Sequence, residues 1–172
     1  MALTRLGGAN AITGTLPAAN INDTSIGNIT ALPAAIATGK VLQVVQGSTT
    51  TDTSSSSATF ADTTLTANIT PSATSSKILV LIEHCKTFVN GGTQIGLKLF
   101  RASSEIYVLR YLLDTNDSTR QQNNVSFNLL DAPSSTSQLT YKTQFNNEQA
   151  AGSVNVQQGS EKSTITLIEV SG

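Results

Sequence analysis

The stretch Leu139-Thr-Tyr-Lys-Thr-Gln-Phe145 decides the fold class of this chain. Every second residue from Leu139 onward is apolar or β-branched, and the residues between them are polar. Alternation with a period of two is typical of a β-strand that buries one face and exposes the other. This stretch therefore predicts a strand on the surface of a packed core.

The same pattern recurs from Lys40 onward, and no segment shows the spacing of an amphipathic helix. Gly, Pro, Asn and Ser clusters separate the segments, as between short strands. The stretch from Gly47 to Thr59 is mostly Ser and Thr and is predicted to be a loop. About nine strands are predicted, over residues 41–46, 65–69, 78–89, 95–100, 106–113, 125–129, 139–145, 154–156 and 165–170. This count favours an all-β sandwich, with a jelly roll as the leading candidate.

The composition excludes several classes of function. The chain has 172 residues, a net charge of −1, only 12% charged residues and a single Cys, with 25 Thr, 20 Ser and 13 Asn. A nucleic-acid partner needs clustered Lys and Arg, and a disulfide or a cysteine-based zinc site needs more Cys. The longest aliphatic run, Ile78 to Ile82, is too short to insert into a membrane. We expect no cofactor and no metal.

Residues 1–39 differ from the rest of the chain. All eight aromatic residues lie at Phe60 or later, so this segment cannot close a core of its own. Its aliphatic side chains recur every three to five residues: Ile12, Leu16, Ile21, Ile26, Ile29 and Leu32. We interpret residues 1–39 as an extended docking and trimerisation arm, whose aliphatic side chains closed symmetry would bury, and residues 40–172 as the head. A disordered leader is the alternative.

Two predicted strands are apolar on both faces. They are Ile78 to Ile82 and the last strand, where Ile168 and Val170 face away from Ile165 and Leu167. A strand of this kind lies under a neighbouring loop or in a contact between subunits. A trimer of sandwiches would bury such outer faces around its axis.

Residues suited to catalysis are few. His84 and Cys85 are adjacent, so in a strand their side chains point to opposite faces and cannot act together. Cys85 shares the phase of Leu79 and is predicted to fill the core, whereas His84 is predicted to lie at an interface. No Gly-x-Ser-x-Gly motif is present.

Polar turns offer candidate contacts with a receptor. The segment Asp114-Thr-Asn-Asp-Ser118 resembles a calcium loop, but Thr119 replaces the glycine at its sixth position and Val125 the glutamate at its twelfth. We interpret it as a polar surface loop, since loops on rigid β-scaffolds carry recognition. The candidate receptor-facing loop residues are Asn90, Asp114, Asn116 and Asp117.

Three stretches resemble the small fibre and appendage proteins of tailed bacteriophages, particularly those of cyanobacterial and marine phages. They are Leu16-Pro-Ala-Ala-Asn-Ile21 through Ile29-Thr-Ala-Leu-Pro33, Gly39-Lys-Val-Leu-Gln-Val-Val45 with Ile69 to Val80, and Ser163 to Val170. The resemblance implies a homotrimeric virion protein that attaches to another virion protein by its N-terminal region. It also implies a head similar to the tumour-necrosis-factor and C1q jelly rolls.

Three functions remain open at this point. The first is a tail-associated fibre whose head binds a host cell-surface glycan. The second is a capsid decoration or head-fibre protein with a purely structural role. The third is a glycan-degrading enzyme, which would need two placed carboxylates from among Glu83, Glu105, Asp114 and Asp117. Because nothing in the spacing of these acids is specific, we expect a protein that is not an enzyme.

Overall fold

The computed structural model describes residues 40–115 and 119–172, which form ten β-strands and no helix. The strands are β1 (Val41–Thr49), β2 (Thr53–Ser55), β3 (Ala61–Ile69), β4 (Lys77–Asn90), β5 (Ile95–Arg101), β6 (Ser104–Leu112), β7 (Gln121–Asp131), β8 (Leu139–Asn147), β9 (Ser153–Val156) and β10 (Ser163–Val170). The all-β prediction is confirmed. The predicted arm, residues 1–39, lies outside the described residues, as do Asn116 and Asp117.

The strands form two antiparallel sheets. In the first sheet, the 14-residue β4 pairs with β7 along one edge, and with β10 and then β9 along the other. β1 lies outside β10, and the three-residue β2 lies outside β9. The second sheet has the order β3-β8-β5-β6.

The eight long strands follow the path of a jelly roll. Their order is β1-β10-β4-β7 in the first sheet and β3-β8-β5-β6 in the second, and successive long strands change sheet at every connection except β5 to β6. This is the pairing of a sandwich built from two Greek keys. The jelly roll predicted from the strand count is therefore the observed fold.

The core lies between the inner faces of the two sheets. Leu65, Leu97 and Tyr141 on the second sheet are fully or almost fully buried, and so are Ile165 and Leu167 on the first. The alternate residues of the same strands face outward, because successive side chains of a strand point to opposite faces. Two adjoining clusters of apolar side chains fill the space between the sheets.

The predicted loop from Gly47 to Thr59 is wrong in part. β1 extends to Thr49, whose backbone pairs with Ser163 of β10, and Thr53–Ser55 forms the edge strand β2 against β9. Backbone hydrogen bonds form these pairs, so a run of Ser and Thr side chains does not prevent them. Gly91 and Gly92 lie in the connection after β4, and both residues have positive φ.

The two ends of the sandwich differ. The chain enters β1 and leaves β10 at one end, the entry end, where the Ser171 backbone N–H donates to the Lys40 carbonyl at 2.9 Å. The connections at the opposite end, which we call the loop end, are residues 50–60, 91–94, 113–120 and 148–162, and three of them are longer than any connection at the entry end. Any surface at the loop end therefore lies far from the point where residues 1–39 join the head.

A buried carboxylate holds the entry end together. The Glu169 side chain accepts hydrogen bonds from the backbone N–H and the hydroxyl of Ser72, at 2.7 and 2.6 Å, and another from the Gln43 amide. Burial raises the pKa of Glu169, but the hydrogen bonds from Ser72 and Gln43 outweigh it and lower the pKa to about 2. Glu169 thereby ties the connection between β3 and β4 to the last strand.

Replacing Glu169 with Gln tests this contact. Hydrogen bonds to a charged group contribute roughly 1.5–3 kcal/mol, so we expect the free energy of unfolding at pH 7 to fall by about that amount. A carboxylate with a lowered folded-state pKa stabilises the fold above its ordinary pKa of 4.5, and this stability is lost as the pH falls towards 2.

Urea unfolding of the wild type and of Glu169→Gln at pH 7 and pH 3 measures this loss. We expect the difference in their free energies of unfolding to be smaller at pH 3. Glu105→Gln, which removes a half-exposed ion pair with Lys98, is the control and costs less than about 1 kcal/mol. An equal loss from Glu169→Gln at both pH values contradicts the assignment.

Candidate functional site

The outer face of the first sheet carries a row of four aliphatic side chains. The registers pair Val44 with Ile168, Ile168 with Leu79, and Leu79 with Leu130, so the row crosses all four long strands. Each of these residues alternates with core residues on its own strand, and its side chain therefore points away from the core. We call these four residues the apolar row.

The apolar row is accessible in the isolated head. Val44 is 58% exposed and Leu130 is 53% exposed, while Leu79 and Ile168 are half-buried. Further apolar side chains flank the row on the same face: Leu42, Leu81 and Val170. A contiguous exposed apolar patch on a soluble protein marks an interaction site more often than isolated exposed residues do.

The outer face of the second sheet is charged and polar instead. Three ion pairs lie there, with N–O distances between 2.6 and 2.9 Å: Lys98 with Glu105, Arg110 with Glu148, and Lys142 with Asp62. Hydrogen bonds from Gln144 and Lys142 lower the pKa of Asp62, so its carboxylate stays charged. The second sheet thus presents a surface suited to water, and the first sheet at its entry end does not.

The predicted positions of His84 and Cys85 are wrong. His84 is fully buried and faces the core with Ile82, whereas Cys85 is a half-buried free thiol on the outer face of the first sheet. The prediction failed because β4 is apolar in both phases, so its own sequence does not show which phase faces the core. Burial, followed by the charges of Glu83 and Glu161, raises the pKa of the Cys85 thiol.

Buried polar side chains surround His84 near the loop end. The amide oxygen of Gln157 accepts hydrogen bonds from the Ser163 hydroxyl at 2.9 Å and from His84 Nδ1 at 3.0 Å, and its amide nitrogen faces the carbonyls of Thr51, Val156 and Thr63. This arrangement leaves the proton on Nδ1. The opposite ring nitrogen, Nε2, is buried without a hydrogen bond, and burial lowers the pKa of His84 to about 4.

Backbone and side-chain amides also fix the long connections of the loop end. The Asn147 backbone N–H donates to the Ser57 carbonyl at 2.9 Å. The Asn155 amide and the Gly159 N–H both donate to the Asp52 carboxylate, at 3.1 and 3.0 Å. These bonds tie residues 50–60 to residues 147–159 and hold these two connections against each other.

The structure brings together the connections that carry two of the predicted loop residues. The Thr115 N–H donates to the Thr93 carbonyl at 3.2 Å, which places the turn after Asn90 beside the connection that holds Asp114. Asp114 is exposed, whereas Asn90 is half-buried and its side-chain oxygen has no hydrogen bond. The contact of these two residues with a receptor stays a prediction.

The acids considered for catalysis lie on different surfaces of the described part of the chain. Glu83 lies on the outer face of the first sheet, and Glu105 lies on the outer face of the second, paired with Lys98. Asp114 lies at the loop end, and Asp117 is outside the described residues. Among the residues that the structure describes, no three His, Cys, Asp or Glu side chains are grouped closely enough to hold a metal ion.

The six aliphatic residues of the predicted arm lie outside the described residues: Ile12, Leu16, Ile21, Ile26, Ile29 and Leu32. In the described part of the chain, no helix is long and apolar enough to cross a membrane.

Comparison with known proteins adds little to these observations. No family model matches the chain, and no curated protein matches it. Among solved structures, it is similar to the VP2 subviral particle of infectious bursal disease virus, with a TM-score of 0.47 and 14% identity over 77% of this chain and 34% of that one. It is also similar to the Gx strain of that virus, with a TM-score of 0.38 and 12% identity over 77% of this chain and 38% of that one. The chain thus spans little more than a third of the length of either neighbour.

The burial of His84 predicts that the stability of the fold depends on pH. A buried histidine with a folded-state pKa near 4 and an ordinary pKa of 6.5 keeps the protein stable while it is neutral. The unfolded chain binds the proton more tightly, so the free energy of unfolding falls by about 3 kcal/mol as the pH drops from 7 to 4.

His84→Gln keeps a neutral hydrogen-bond donor near Gln157 and removes the titrating group. We expect this variant to lose that part of the pH dependence, whatever its stability at pH 7. Chemical unfolding at half-unit steps between pH 7 and pH 4 measures it, and the same slope in both proteins would show that His84 is not the titrating group.

Proposed function

We propose that this protein is a non-enzymatic structural component of a virus particle, specifically a fibre or appendage of a tailed bacteriophage. It assembles as a homotrimer, docks on another virion protein through residues 1–39, and projects its head outward. The observation that carries the proposal is the contrast between the two outer faces of the sandwich. One face holds three ion pairs, and the other holds the apolar row.

The apolar row supports assembly between copies of this chain. An antiparallel sheet with one solvated face carries polar residues on that face, and aliphatic side chains there gain free energy only when a partner covers them. β1, which contributes Val44, is also the strand that residues 1–39 continue into. The trimer would need both contacts, because arms that associate only weakly by themselves still hold the apolar rows at high local concentration.

The resemblance to phage appendages supports the location in the virion. It extends over residues 16–33, 39–45, 69–80 and 163–170, which belong to both parts of the chain. A capsid decoration protein with a purely structural role is the alternative, and it uses the same surfaces for assembly. The two functions differ in whether the loop end, which lies opposite the entry end, binds a host surface.

Replacing Val44 with Glu tests the apolar row. A carboxylate at this position would be desolvated in a contact between subunits, so we expect the full-length trimer to dissociate into monomers of 17.9 kDa while the head stays folded. Light scattering measures the mass, and circular dichroism checks the fold.

The matched control is Val108→Glu on β6, a 41%-exposed valine on the outer face of the second sheet. We expect this variant to remain a trimer, because the new carboxylate faces water opposite Lys98. A monomeric wild-type protein, or equal dissociation of both variants, argues against assembly through the apolar row.

Deleting residues 1–38 tests the docking role. We expect the truncated protein to be soluble, because every described strand lies within residues 41–170, and to be missing from purified particles. Quantitative mass spectrometry of particles produced with the shortened gene measures how much of the truncated protein they contain. Normal incorporation of the truncated protein would exclude docking through this segment.

A further inference from the structure

β6 contains a bulge that changes the direction of two side chains. Ile95 pairs with Leu112 and Leu97 pairs with Leu109, so Arg110 and Tyr111 together lie opposite the single residue Gly96. A bulge of this kind bends the strand and redirects side chains, and bulges are common beside functional sites. Tyr111 has a φ of 59°, a left-handed conformation that a tyrosine rarely adopts.

The bulge places two consecutive side chains on the same side of the sheet. In a regular strand, Arg110 and Tyr111 would point to opposite faces. Here the Arg110 guanidinium carbon lies 5.5 Å from the centre of the Tyr111 ring. Tyr111 is nevertheless 61% exposed, the highest value among the large apolar side chains that the structure describes.

Arg110 is held firmly in this position. Its Nη2 donates a hydrogen bond to Glu148 Oε2 at 2.7 Å, its Nε lies 2.7 Å from Oε1 in the same ion pair, and the Glu148 side chain is only 2% exposed. The guanidinium carbon also lies 6.0 Å from the ring centre of Phe60, over which Lys98 Nζ sits at 4.2 Å. A buried carboxylate therefore positions the guanidinium beside the Tyr111 ring.

The surroundings of Tyr111 are polar but carry no excess charge. The Arg110–Glu148 pair is neutral as a unit, and a guanidinium has five N–H donors, most of which are not used by the hydrogen bond to Glu148. Beside Glu148, the side-chain amides of Gln94 and Gln149 bond each other at 3.3 Å, and the Glu148 N–H donates to the Gln94 carbonyl. We call Tyr111, Arg110, Gln94 and Gln149 the Tyr111 platform.

We propose that the Tyr111 platform binds a neutral saccharide, with one face of a sugar ring stacked on the Tyr111 ring and its hydroxyl groups bonded to Arg110 and the two amides. A pyranose ring has a face of C–H bonds that packs on an aromatic ring, and its hydroxyl groups match N–H donors and amide oxygens. Because the Arg–Glu pair is neutral, it offers no net attraction to a sulfated or phosphorylated ligand. The platform lies near the loop end, so this proposal rests on the proposed function, in which that end faces the host.

The test is a titration of the full-length protein with maltotriose, cellotriose and mannotriose, each followed by ligand-observed NMR. The wild-type protein binds at least one of them. Tyr111→Ala weakens that binding about five- to tenfold, the range expected for the loss of one stacking contact, because 1.4 kcal/mol corresponds to a factor of ten. Tyr111→Phe, which keeps the ring, stays within about twofold of the wild type.

Val108→Ala is the matched control, since Val108 is an exposed residue on the same face of the same strand. It leaves saccharide binding unchanged. The proposal is overturned if no trisaccharide binds at millimolar concentration or if Tyr111→Ala binds as the wild type does.

These outcomes are separable from the proposed function. The Tyr111→Ala protein still trimerises and still enters particles, because the platform lies on the second sheet, away from the apolar row. Loss of saccharide binding with normal incorporation supports the platform. Absence of the wild-type protein from particles contradicts the proposed function whatever the saccharides do.

Discussion

The structure depends on a sheet that is apolar on both faces at the end where the chain enters. The inner face of β4 and β10 packs against β3, β5 and β8 to form the jelly-roll core, which gives the head its stability. The outer face of the same two strands carries Leu79 and Ile168, which no residue of the second sheet can reach. The core therefore buries only the inner face of this sheet. A partner that covered the apolar outer face would gain the free energy of burying it.

The charges of the head follow the same division. Three ion pairs lie on the outer face of the second sheet, whereas Glu83 on the outer face of the first sheet accepts a hydrogen bond from the Asn124 amide. Glu169 closes the entry end, and Asp52 orders the connections of the loop end. The head thus has one outer face with an apolar row, one outer face with ion pairs, and a loop end far from the point where residues 1–39 join.

The sequence predicted those parts of the fold in which local pattern decides the outcome. Alternation around Tyr141 correctly predicted the core face of β8. The sequence also showed that β10 is apolar on both sides, without showing which side faces the core. The phase of β4 could not be read locally, which is why His84 and Cys85 were assigned to the wrong sides. The apolar row depends on register between strands that are distant in sequence, such as Leu79 with Leu130, and no single segment contains that information. The bulge at Arg110 was equally hidden, because it is defined only by the pairing of β6 with β5.

A cryo-electron microscopy map of the intact particle tests the central claim most directly. We expect three copies of the head around a common axis, with Val44, Leu79 and Leu130 inside contacts between copies and the loop end facing outward. A map in which the outer face of the first sheet is open to solvent, with the ion-paired face of the second sheet in the contacts, would contradict this account.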